Sequence, residues 1–143
     1  MTSDDRAERL YERATAILDG KGNGYGEPIL WHLVLRRHPA AMIDVANRLS
    51  FSNLLSDLGR TADPWSAAGM YYRAYRMGEH RAAQHLAMGC FNRRDLAGYR
   101  RWLRRAANAG DGDALAELRR FELRLPHKAA GDIGRRRPYR RNE

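Results

Sequence analysis

Ala74-x-x-x-Gly78-x-x-x-Ala82-x-x-x-Leu86 and Ala106-x-x-x-Gly110-x-x-x-Ala114-x-x-x-Leu118 are one row written twice, 32 residues apart. The stretches that hold it, Asp63–Leu86 and Asp95–Leu118, also match at Asp63/Asp95 and Arg73/Arg105 and pair acidic Glu79 with Asp111. Glycine takes the left-handed conformation that ends a helix, and flanking alanines let two helix backbones come close. The row therefore predicts a helix, a tight turn and a returning helix, repeated.

Working outward, a degenerate copy lies upstream. Ala41 falls on Ala82 and Val45 on Leu86 at an offset of 41, with Arg37 where the glycine stands in the other two. The added length falls in Ser50–Ala62. Before this copy, Thr2 or Ser3 can cap a helix whose Ala7, Leu10, Tyr11, Ala14, Ile17 and Leu18 share one face. The glycine-rich run Asp19–Pro28 breaks it. That run follows a helix and lacks the Gly-Lys-Ser/Thr ending of a nucleotide loop, so it reads as a flexible connection.

A helix from Pro28 to about Arg37 and another over Ala40–Leu49 come next, divided at His38-Pro39. Asp63-Pro64 reads as a cap with an N1 proline, opening a helix whose buried stripe draws on Trp65, Met70, Tyr71, Ala74 and Tyr75. His80–Phe91 returns, Asn92-Arg93-Arg94 turns, and Asp95 caps the last pair. Tyr99, Trp102, Leu103 and Ala106 pack in its first helix, and Ala114, Leu115, Leu118 and Phe121 in its second. Seven helices are expected, and no stretch alternates as a strand.

Composition sets the limits. The 143 residues are 43% hydrophobic, enough for one domain with a real core, and carry a net charge of +9. Lys21 and Lys128 are the only lysines, so the basic character is arginine's. Such an excess marks either phosphate and carboxylate recognition or the coding bias of a G+C-rich genome. Cys90 is the only cysteine, which excludes an intramolecular disulfide and a cysteine-type zinc site. No apolar run is long enough to span a bilayer, the N-terminus does not read as a secretory signal, and a cytoplasmic location is the expectation. No nucleophile stands with a base, no paired acids with a partner motif, and no metal cluster appears. The expectation is therefore no enzyme, with no catalytic residues, cofactor or metal.

Residues Asp95–Ala114, together with Arg37-His38-Pro39-Ala40-Ala41-Met42 and Gly78-Glu79-His80-Arg81-Ala82-Ala83, resemble the Sel-one-like repeat family, a branch of the tetratricopeptide superfamily. The resemblance covers about residues 6–122. It departs from the family where Asn92-Arg93-Arg94 replaces a Gly-x-Gly loop and where Arg37 replaces a turn glycine. It implies an all-α fold, a short right-handed α-solenoid of antiparallel helix pairs over residues 1–124. It also implies an adaptor that binds a peptide or partner protein in a concave groove.

On this register the return helices present Asp44, Asn47 and Arg48, then Arg81, Gln84, His85 and Met88, then Asp113, Glu117 and Arg120. These mixed polar residues suit a protein or peptide better than a small apolar ligand. Arg100/Arg104 and Arg101/Arg105 form rows expected to be a solvated face. The segment 125–143 is a basic tail with Arg135, Arg136, Arg137, Arg140 and Arg141 among eight residues, expected to remain disordered alone. With the Arg93–Arg105 ridge, it supports an alternative reading as a nucleic-acid-associated protein. Five phosphate contacts by the tail would give single-strand binding a log–log salt slope of about −3.5, lost on deletion of 126–143. Anisotropy with a labelled oligonucleotide measures it, and salt-independent or absent binding contradicts that reading.

Overall fold

The computed structural model describes residues 2–52 and 58–124. Among these residues it is all-helical, with no strand and seven helices. They are α1 (Ser3–Leu18), α2 (Gly26–Leu35), α3 (Pro39–Ser52), α4 (Ala67–Arg76), α5 (Ala82–Asn92), α6 (Leu96–Asn108) and α7 (Gly112–Arg124). The stretch expected to be one repeat domain divides by contacts into two compact units, Met1–Ala82 and Ala83–Glu143. In the first, α1 packs on α2, α2 on α3 and α3 on α4; in the second, α6 packs on α7.

One device ends five of the helices. After α2, α4 and α6 the chain passes through a residue of positive φ, namely Arg37 (63°), Gly78 (103°) and Gly110 (102°). The next backbone N–H then reaches back to a carbonyl in the last turn: His38 to Leu33, Glu79 to Ala74 and Asp111 to Ala106, at 3.0, 3.0 and 3.1 Å. Gly20 and Arg94 do the same after α1 and α5, with Lys21 donating to Ala16 and Asp95 to Cys90, both at 2.8 Å. This is the Schellman closure, which satisfies carbonyls that a helix end leaves orphaned. The repeated glycine and its degenerate copy at Arg37 thus mark one backbone event.

Helix starts depart from the sequence expectation. Asp63-Pro64 does not open α4. Those residues form a turn instead, and Ser66 is the cap, its hydroxyl accepting from the Gly69 N–H at 2.9 Å. Asp95 does cap α6, accepting from the Gly98 N–H at 2.9 Å. The two caps stand 29 residues apart while the turn glycines stand 32 apart, because α6 has 13 residues and α4 has 10. The Asp63/Asp95 identity therefore has no structural counterpart. Trp65, expected to be buried, lies in the turn and is 49% exposed, under the Arg73 guanidinium at 5.1 Å from its ring. Leu115 is also exposed.

The first core is built from Ala14, Leu30, Leu33, Val34, Met42, Ile43, Val45, Met70, Tyr71 and Ala74. α1 and α2 approach closely at Gly26, where a Cβ would sit 2.7 Å from the Ala14 carbonyl oxygen. The second core holds Leu86, Cys90, Tyr99, Trp102, Leu103, Ala106, Ala114 and Leu118. There Tyr99 lies between Phe91 and Phe121, each ring centroid 5.1 Å away, and such aromatic pairs add to the area they bury.

Nothing lies within 4 Å of a Cβ built on Gly110, so a substitution there meets backbone strain alone. Gly110→Ala is expected to cost about 1 kcal/mol, and Arg94→Gly to gain about 0.5 kcal/mol, in urea unfolding. The same sign for both would contradict the shared turn.

Candidate functional site

In the first unit, α1, α2 and α3 enclose an open cleft of about 800 Å³, lined by Tyr11, Thr15, Leu18, Asp19, Leu30, Asp44, Asn47 and Arg48. Asp44, Asn47 and Arg48 are the α3 residues expected at a binding surface, and the structure gathers all three here. They share a face because positions three and four apart on a helix are neighbours. Half-buried Leu18 supplies an apolar patch beside them, above the core residue Leu30.

Two tyrosines hold the α3 row in place. The Tyr11 hydroxyl donates to Asp44 Oδ2 at 2.5 Å. The Tyr71 hydroxyl donates to Asn47 Oδ1 at 2.6 Å and lies 3.3 Å from the Ser50 hydroxyl. Asn47 therefore keeps its amide nitrogen as a donor, and Asp44 keeps Oδ1 as an acceptor. Burial, followed by the Asp44 hydrogen bond and charge, pushes the Tyr11 phenol up to about 12, while the Arg81 guanidinium on the same hydroxyl pulls it down. Burial also raises Tyr71.

Tyr11 is fixed from its other side by His38, whose ring lies 5.1 Å away at a tilt of 31°. His38 Nδ1 accepts the Ala41 N–H at 3.2 Å, so the histidine caps α3 ahead of Pro39. Its Nε2 lies 3.4 Å from Glu8 Oε2. One residue thus ties α1 to the start of α3. In the sequence, Tyr11 reads only as an inward apolar position and His38-Pro39 only as a break. The available signal was a hydroxyl on an otherwise apolar α1 stripe.

The remaining expected site residues divide between the units. Arg81, in the first, is exposed and pairs with Glu79 at 3.4 Å. In the second, Gln84 and Met88 are exposed on α5, His85 is half-buried, and Asp113 stands exposed in the first turn of α7. Glu117 and Arg120 pair with each other along α7. Burial raises the Tyr99 phenol; Glu117 adds to this and Arg120 opposes it, so this pair faces the tyrosine.

In the arginine rows of α6, Arg101, Arg104 and Arg105 are exposed as expected, while Arg100 is largely covered. Arg100 Nε and Arg104 Nη2 both reach Glu122 Oε1 of α7, at 2.9 and 3.1 Å, with Arg100 and Glu122 largely covered. Arg105 lies over the Trp102 ring at 4.5 Å. One carboxylate, Glu122, thus answers two of the ridge arginines. Burial pushes the Cys90 thiol up, and the Asp95 charge adds to it, which keeps the sulfur in its unreactive form. Among the described residues no three His, Cys, Asp or Glu side chains gather as metal ligands, and no helix is long and apolar enough to cross a membrane. The tail arginines, 135 to 141, lie outside the described residues.

No protein-family model, curated protein or solved structure matches the chain.

Tyr11 tests the tie between α1 and α3. Its folded pKa is raised, so its contribution to stability is fully present below the unfolded value of about 10 and is lost as pH rises towards 12. Tyr11→Phe should cost about 1 kcal/mol at neutral pH and flatten part of the alkaline loss of stability. An unchanged alkaline profile in urea unfolding would contradict the assignment.

Proposed function

We propose that the chain is a helical-repeat adaptor of the Sel-one-like kind, and that the α1–α3 cleft of its first unit holds an extended segment of a partner protein. The observation that carries this reading is the prepared pair on α3. Asn47 and Asp44 are three residues apart, each fixed by a tyrosine on one atom and left with a donor and an acceptor on the other. One backbone carbonyl and one backbone N–H of a peptide answer that pair, while Leu18 meets an apolar side chain. Groups already oriented before binding lose less freedom on association.

The recurrent turn supports the repeat reading: five helix ends close through the same left-handed residue and backward N–H bond. Repeat units of this kind bury their apolar stripes against neighbours and leave variable surface positions for recognition. The cleft's charges are mixed, with Asp19 and Asp44 against Arg48, which favours a polar peptide over a uniformly basic or acidic one. The nucleic-acid reading gains nothing from Arg100 and Arg104 of α6, which are held by Glu122.

Peptides selected from a random display library against the full-length protein provide the test. Their affinity should fall about tenfold in Asp44→Ala and in Asn47→Ala, the worth of one buried polar contact, and stay unchanged on deletion of 126–143. Peptides that bind equally well to both α3 variants but not to the truncated chain would overturn the reading.

A further inference from the structure

A second cleft in the first unit carries a different chemistry. It lies where the first turns of α1 meet the end of α2, has a volume of about 780 Å³, and is lined by Arg6, Arg36 and Arg37 against a single carboxylate, Asp4. Among the described residues none of these three arginines has an ion pair, whereas Arg81, Arg100, Arg104 and Arg120 all do. The half-buried Ala7 and Leu10 form an apolar wall beside them, over the core residue Leu33.

Arg37 adds a second observation. It occupies the left-handed turn position that Gly78 and Gly110 fill in the matching turns, with φ 63°. A non-glycine residue there is strained, and its side chain is the one part that glycine lacks. Arg37 lines the cleft, and its charge also lowers the pKa of Arg73, after burial. Among the cleft's lining residues, Asp4 is the one carboxylate set against this positive charge.

We infer that this cleft binds a phosphate monoester that carries an apolar body, with Arg6, Arg36 and Arg37 on the phosphate and Ala7 and Leu10 on the body. A guanidinium presents its donors as a planar fork that matches two phosphate oxygens, and a dianion is what three arginines against one aspartate leave unsatisfied. The volume is that of a small-molecule site. The cleft is separate from the Asp44–Asn47 pair and does not depend on the peptide reading.

Calorimetric titration of the full-length protein with phenyl phosphate, inorganic phosphate and benzoate tests it. Phenyl phosphate should bind saturably and more tightly than either control. Arg37→Gly should weaken it about tenfold while raising the urea midpoint, because glycine relieves the turn. Arg6→Gln should weaken it similarly. Benzoate or inorganic phosphate binding as tightly as phenyl phosphate, an affinity unmoved by Arg37→Gly, or a midpoint that falls together with affinity would overturn the inference. Vesicles doped with phosphatidic acid separate the sources. Capture that phenyl phosphate displaces assigns a lipid headgroup, and no capture assigns a soluble phosphate; either upholds the monoester.

Discussion

The structure depends on one backbone constraint: a single residue per turn must sit in the left-handed region so that the following N–H can close the helix end behind it. Gly20, Arg37, Gly78, Arg94 and Gly110 meet it at five of the helix ends. Three residues span the α2–α3 and α6–α7 connections, so within each of these pairs the helices have little length in which to diverge. The small residues flanking each turn, such as Ala41, Ala82 and Ala114, are consequently buried. Architecture follows from the closure, and the surface chemistry is distributed on whatever faces the closure leaves open.

Helix ends were legible in the sequence because Gly78 and Gly110 are a direct signal of positive φ, and the Ala-to-Leu row around them fixed the register that exposed Arg37 as their counterpart. Helix starts were less legible. Asp63-Pro64 has the composition of a cap followed by an N1 proline, yet the local turn through Asp63, which gathers the Ser66 hydroxyl and N–H, moves the start to Ser66. Several residues can cap a helix, and tertiary packing decides which one does. His38 shows the same from the other side: its ring nitrogen caps α3 although histidine is seldom expected there.

The candidate surface was legible in part. Helical periodicity placed Asp44, Asn47 and Arg48 on one outward face, and the cleft contains them. Tyr11 and Tyr71 escaped notice because an apolar stripe records a tyrosine's ring and says nothing of where its hydroxyl ends. The Arg100/Arg104 row escaped for a related reason. Spacing on α6 shows that two arginines are neighbours, while Glu122, which binds both, comes from α7.

The central claim is that Tyr11 and Tyr71 prepare Asp44 and Asn47 to receive a peptide. Backbone amide chemical shifts of the isotope-labelled full-length chain, followed during titration with a selected peptide, test it most directly. The account predicts that the largest shifts fall on residues 11, 15, 44, 47 and 48. Shifts confined to α6 and to residues 125–143, with the α1–α3 cleft unmoved, would contradict it.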